Sequence, residues 1–189
     1  MTSKAGATRR RNARDKYKPD VIRYLLIAEA PPSEDRFFYF DHVGFADNLF
    51  IGTMKVLFPK QFRGYIGQRS AQQKQRLLRS FQKEGFWLLD AVDSPLEHTA
   101  SAAQLAKISD LESRLTRLRR AGEISHSTPV LFMKANAYRA FRERLEELNF
   151  NAINQLVYFP GNGRQNDFAI MFPKALILAG YRKLGNGHA

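Results

Sequence analysis

Polar side chains that could hold a ligand or a water follow several short apolar runs of the chain. The run YLLIA ends in Glu29 and the rigid turn Ala30–Pro32, FWLL ends in Asp90, and QLVYF ends in the loop PGNGRQN. An ionised carboxylate at such a position accepts hydrogen bonds from a water or pairs with a cation. None of these segments has the spacing of metal ligands, the four histidines are scattered and GNGRQN lacks the Lys-Ser/Thr of a Walker loop. We therefore expect no metal and no organic cofactor.

The apolar runs themselves predict buried strands, because they lack the alternation of strands that face water on one side. They are YLLIA (24–28), FWLLDAV (86–92), PVLFMK (129–134) and QLVYF (155–159). Amphipathic spacing predicts helices between and after them, over 72–83, 105–118, 138–148 and 167–179. This alternation predicts a three-layer α/β/α sandwich with a central four-stranded parallel sheet, in which sites form beyond the carboxyl ends of the strands.

Composition predicts one domain and an unusual charge. The 189 residues carry 30 Lys+Arg against 18 Asp+Glu, a net charge of +12, and no cysteine, which excludes disulfides and thiolate zinc sites. We expect a basic disordered tail over 1–20, a single domain over 21–181 and a flexible C-terminus over 182–189. Without an apolar stretch of about 18 residues or a signal-peptide core, we expect a cytoplasmic monomer that does not bind membranes.

The positive charge favours a polyanion, above all nucleic acid, with DNA preferred to RNA. Segment 60–83 contains seven cations and no acid, which predicts a surface for the phosphate backbone: Lys60, Arg63, Arg69, Lys74, Arg76, Arg79 and Lys83. A solubilising tail with ordinary charged helix faces is the simpler alternative. An acidic protein or membrane headgroups would also suit the charge, although the tail lacks the apolar stripe of a membrane-surface helix.

Four segments together resemble motifs of the uracil-DNA glycosylase superfamily, in order from about Tyr24 to about Ala179. They are Ala28–Pro32, FADNLFIGTMKVLFP (45–59), GFWLLDAVDSP (85–95) and Phe159–Asn166. The resemblance implies a uracil-DNA glycosylase-like fold and a DNA-repair hydrolase that flips an altered base and hydrolyses its N-glycosidic bond.

The same resemblance implies roles for particular residues. Glu29 would position the attacking water or stabilise the cationic sugar, Phe50 would stack on the base, and Asp90 would read the base edge. Phe159 and Asn162 would complete the base site. The expected DNA contacts are Pro31, Pro32, Arg164, Gln165, Asn166, Arg63, Arg69, Lys74 and Arg76.

Departures from the family pattern leave alternatives open. Phe159 stands where the family has a base-binding histidine, Pro32 where it has glycine and Asp90 where it has asparagine, so the base is not uracil or the protein no longer cuts. The rival hypothesis is a non-catalytic nucleic-acid-binding module, and a third is an enzyme acting on a free nucleobase or nucleotide. A glycosylase requires Glu29 to be accessible and to face a cavity beside Phe50, whereas a binding module does not.

Each of these residues also has a structural interpretation. Glu29 caps the following turn or pairs with an arginine, Phe50 belongs to the core, and Asp90 is a buried structural carboxylate. Asn166 would be a good cap for the last helix.

Overall fold

The computed structural model describes residues 4–32, 36–41 and 47–183. This part of the chain is an α/β fold with four parallel strands flanked by helices. The strands are β1 (Tyr24–Ala28), β2 (Phe86–Asp90), β3 (Pro129–Phe132) and β4 (Asn151–Ala152). The helices are α1 (Lys4–Lys16), α2 (Asn48–Leu57), α3 (Pro59–Gly67), α4 (Ala71–Lys83), α5 (Ala102–Ile108), α6 (Leu111–Arg120), α7 (Ala135–Glu147) and α8 (Gln165–Leu178).

The strands confirm three of the four apolar runs. All residues of β2 and β3 are buried and only Tyr24 of β1 is half-buried, which explains why these runs are apolar throughout. The prediction for 155–159 was wrong, because β4 pairs with β3 earlier in the chain. A tight turn follows, in which the Gln155 N–H donates to the Ile153 carbonyl over 2.9 Å and directs the chain out of the sheet.

The strand order β2-β1-β3-β4 creates one reversal in the sheet. The connection that leaves β1 runs toward β2, whereas the connection that leaves β3 runs toward β4. Because parallel crossovers are right-handed, α2–α4 and α5–α7 cover opposite faces, and α8 packs on α2. The crevice between the carboxyl ends of β1 and β3 is therefore the switch point, where α/β folds bind ligands.

The basic N-terminal segment forms a helix where the sequence predicts a disordered tail. Beyond α1, the Tyr17 ring is fully buried and lies 6.2 Å from the Tyr39 ring, centroid to centroid. The Arg14 guanidinium donates to the Asp93 carboxylate over 3.4 Å. The segment is held on the domain by its own cations and one aromatic anchor, a tertiary arrangement that net charge does not reveal.

The predicted helix over 105–118 is two helices. A capping box of Ser101 and Gln104 starts α5, and the chain turns at Ser109, whose hydroxyl donates to the Ala91 carbonyl over 2.5 Å. The Ser109 hydroxyl also accepts from the Leu111 N–H over 3.1 Å. The leucine spacing continues through the break, so periodicity alone did not reveal it.

Four successive aromatic residues, Phe37–Phe40, are buried, and one of them bonds to the free edge of β2. Each of them is at most 8% exposed. The Tyr39 hydroxyl accepts from the Leu88 N–H over 2.7 Å and donates to the Leu88 carbonyl over 3.2 Å. The side chain thereby replaces the missing neighbouring strand at this edge.

Candidate functional site

Glu29 lies directly after β1, at the switch point of the sheet, and Lys134 follows β3 on the other side of the same crevice. The two side chains form an ion pair. The Asn136 amide donates to the Ala100 carbonyl over 2.7 Å and to the second Glu29 oxygen over 3.4 Å. The most conspicuous carboxylate of the sequence therefore sits where an α/β site is expected, with a lysine and an amide as its partners.

This arrangement agrees with the structural interpretation of Glu29 more closely than with a free catalytic base. The residue is 7% exposed, and one of its oxygens is occupied by an ammonium group. Its partner is a lysine rather than the arginine that the sequence suggested. The other oxygen has only the long contact with the Asn136 amide.

Phe50 belongs to the core. Its exposed fraction is zero, and its ring packs edge to face on Phe38 at 5.7 Å and on Tyr65 at 5.6 Å between centroids. The Lys74 ammonium lies 4.6 Å from the centre of the same ring. A ring enclosed in this way has no free face on which a nucleobase could stack.

Lys74 is not part of the basic surface, contrary to the prediction. It is 1% exposed and pairs with Asp47, at 2.5 Å between ammonium and carboxylate. Burial raises the pKa of Asp47, and the charge of Lys74 opposes that rise. The helical spacing of α4 explains the error, because Lys74 shares the inward face with Leu77, Leu78 and Phe81.

Asp90 ends β2 beneath α1. It is 5% exposed, and burial raises its pKa to about 7, although the Arg14 charge opposes the rise. A cavity of about 30 Å³, room for about one water, lies beside it and is lined by Pro31, Phe37 and three of the arginines of α1. Asp90 and Pro31 are thus covered by the N-terminal helix instead of facing solvent, whereas Pro32 is half-buried.

The loop before α8 lies against α2. Pro160 packs so closely on Gly52 that an added side-chain carbon there would come within 2.9 Å of the proline ring, and Phe159 is half-buried above Gly161. Asn162 is exposed and adopts a positive φ of 51°.

At the start of α8 the Arg164 guanidinium lies 3.4 Å from the centre of the Tyr158 ring and donates to Asp167 over 2.8 Å. Gln165 and Asn166 are exposed in the first turn of the helix. Arg164, not Asn166, occupies the N-cap position.

A groove of about 670 Å³ lies between α3, α4 and the end of α1. Four cations line it, Lys16, Lys60, Arg76 and Arg79, and none of its lining residues, all within the described ranges, is acidic. The amphipathic spacing of α4 builds one wall, because Arg76 and Arg79 point outward while Leu77 and Leu78 are buried. Of the predicted DNA-binding cations, Arg76 lines the groove, Arg63 is exposed on α3, and Arg69 is half-buried.

Hydrogen bonds fix the walls of this groove relative to each other. The Ser80 hydroxyl of α4 donates to the Gln61 side chain of α3 over 2.9 Å. Asp41 accepts from Lys16 over 3.1 Å and from Gln75 over 3.0 Å, which joins α1 to α4. The Arg79 guanidinium of α4 also donates to the Lys16 carbonyl of α1 over 3.5 Å.

Sequence reasoning missed three contributors to these sites. Lys134 and Asn136 stand in the segment KANAYRAF, which follows the third apolar run, and their position after a strand was the available signal. Lys16 lies in the segment that we expected to be disordered. Its role depends on the fold of α1, which no local pattern predicts.

Searches with protein-family models, curated proteins and solved structures returned no match for this chain. Function must therefore be inferred from its own residues. Within the described ranges, no helix is long and apolar enough to span a bilayer, and no three His, Asp or Glu side chains cluster as a metal site.

Proposed function

We propose that this protein is a non-catalytic nucleic-acid-binding module whose contact surface is the basic groove between α3, α4 and the end of α1. The observation that carries the proposal is the lining of the groove, with four cations and no acidic side chain. Phosphate oxygens are the ligands that such a surface attracts, and the net charge of +12 adds a long-range field of the same sign.

The groove chemistry suits a chain of phosphates better than a single small ligand. Lys60, Arg76 and Arg79 are exposed and therefore accessible to phosphates, while the neighbouring glutamine side chains offer neutral donors. Lys16 is partly neutralised by Asp41 and adds less. The binding energy therefore comes mainly from α3 and α4.

Binding without cleavage is favoured by the state of the predicted catalytic residue and of the predicted base-stacking ring. Glu29 is enclosed and paired with Lys134, and Phe50 is wholly buried. These are the two residues that a glycosylase would need beside an open cavity.

The proposal is tested by measuring, through fluorescence anisotropy, how tightly the protein binds a labelled DNA duplex at low salt. The groove variant R76A/R79A removes two exposed arginines, and the matched control R117A/R139A removes two exposed arginines from α6 and α7. We expect weaker binding by the groove variant and near-normal binding by the control. Equal loss in both would assign the binding to net charge alone and contradict the proposal.

A glycosylase-like enzyme is the second candidate, favoured by the position of Glu29 at the switch point of a four-stranded parallel sheet. This candidate includes the finer assignment of a uracil-DNA glycosylase-like fold. It predicts single-turnover release of uracil, hypoxanthine, xanthine or an alkylated base from DNA, abolished by Glu29→Gln. Absence of release from every substrate, with DNA binding intact in the variant, would exclude it.

A further inference from the structure

The groove offers charge and hydrogen-bond donors but no accessible ring. The side chains of Tyr17 and Leu77 at its floor are 0% and 1% exposed. On α3, the rings of Phe62 and Tyr65 are also buried. Throughout the described part of the chain, the large apolar side chains that are exposed are aliphatic.

This lack of rings bears on the form of nucleic acid that fits. Proteins that bind single strands without sequence preference combine cations with aromatic side chains on which successive bases stack. A double helix keeps its bases stacked on each other and is held through its phosphates by Lys, Arg, Gln and Ser side chains. The groove contains these Lys, Arg, Gln and Ser side chains and exposes no aromatic ring.

The walls of the groove are also held at a fixed separation. The hydrogen bond between Ser80 and Gln61 joins α4 to α3, and Arg76 and Arg79 lie three residues apart on one helical surface. A preformed array of cations favours a regular backbone, because a flexible strand would lose more conformational entropy on binding to it.

We infer that the groove binds the backbone of a DNA double helix and discriminates against single strands. This inference rests on the proposed function, since it names the form of nucleic acid that the same groove takes. In this inference the surface neither recognises bases nor flips them out of the helix.

The test is a competition experiment with the full chain. Labelled duplex is displaced either by the same unlabelled duplex or by one of its single strands at equal phosphate concentration. We expect the duplex to compete at least about tenfold better. The preference should shrink in R76A/R79A and persist in R117A/R139A.

The outcomes separate the two proposals. Equal or better competition by the single strand, with binding still lost in R76A/R79A, would overturn the duplex inference and leave the binding function standing. No salt-sensitive binding of either form would overturn the binding function itself.

A second variant tests the physical reason for the preference. Gln72 is exposed on the groove wall, so Gln72→Trp would supply the missing ring without removing a charge. We expect single-strand affinity to rise severalfold while duplex affinity changes little. Unchanged single-strand affinity in this folded variant would contradict the inference.

Discussion

The two carboxylates at the carboxyl ends of β1 and β2 differ in what surrounds them. Glu29 is paired with Lys134, so its charge is compensated. Asp90 is buried beneath α1, and burial raises its pKa to about 7. Burial therefore destabilises the ionised form of Asp90, whereas Glu29 has a cation as its direct partner.

Asp90 gives a prediction about stability and pH. The native carboxyl group keeps its proton up to about pH 7, whereas the unfolded chain releases it near the ordinary pKa of 3.8. The native state then binds more protons between these values, so this group lowers the free energy of unfolding as the pH rises through that window. We expect Asp90→Asn to raise the melting temperature at pH 8. The gain in free energy of unfolding is at most about 4 kcal/mol, because the native pKa lies about three units above the ordinary value.

Thermal unfolding of both proteins at several pH values checks this prediction. The advantage of the variant should shrink as the pH falls toward 4, because the unfolded wild-type chain then regains the proton that the native chain has kept. A variant that is less stable than the wild type at pH 8 would show that the ionised Asp90 carboxylate contributes favourable contacts.

Among the elements, α1 is joined to the domain partly through ion pairs. Its contacts include the ion pairs Arg14–Asp93 and Lys16–Asp41, in which both carboxylates remain more than a third exposed. Pairs of this kind contribute little and are screened by salt. The buried ring of Tyr17, directly after α1, adds an apolar anchor.

We therefore expect hydrogen exchange in α1 to accelerate when salt is raised to about 1 M, relative to exchange in α4, whose inward face is buried in the core. Mass spectrometry of peptides from the two helices measures this directly. Protection of α1 that is independent of salt would mean that apolar packing, not charge, holds it in place.

The elements predicted from sequence were those with strong local patterns. The cores of β1, β2 and β3 and the helices α4, α7 and α8 follow from apolar runs and helical spacing. The sequence did not predict β4, because two residues at a sheet edge carry no pattern, nor the break at Ser109, which depends on a hydrogen bond to Ala91.

The site was predictable only in part for a similar reason. The position of Glu29 after a strand was foreseen, but its partner Lys134 lies 105 residues further along the chain. The burial of Lys74 and Phe50 depends on which face of each helix meets the sheet. Such pairings are decided by tertiary packing, which the local sequence does not encode.

At the scale of the whole molecule, a net charge of +12 would attract any polyanion, so affinity alone does not identify a site. Binding in the groove can be distinguished from attraction by the overall positive charge through the number of phosphates that the groove neutralises. Each phosphate contact adds about 0.9 to the slope of log K against log salt for duplex DNA. The four lining cations predict a slope of magnitude about 3 to 4 for the wild-type protein.

The most direct test of the groove is therefore the salt dependence of duplex binding between about 50 and about 200 mM salt. We predict that R76A/R79A lowers the magnitude of the slope by about 2, while R117A/R139A leaves it unchanged. Equal slopes for all three proteins would contradict the groove as the binding surface.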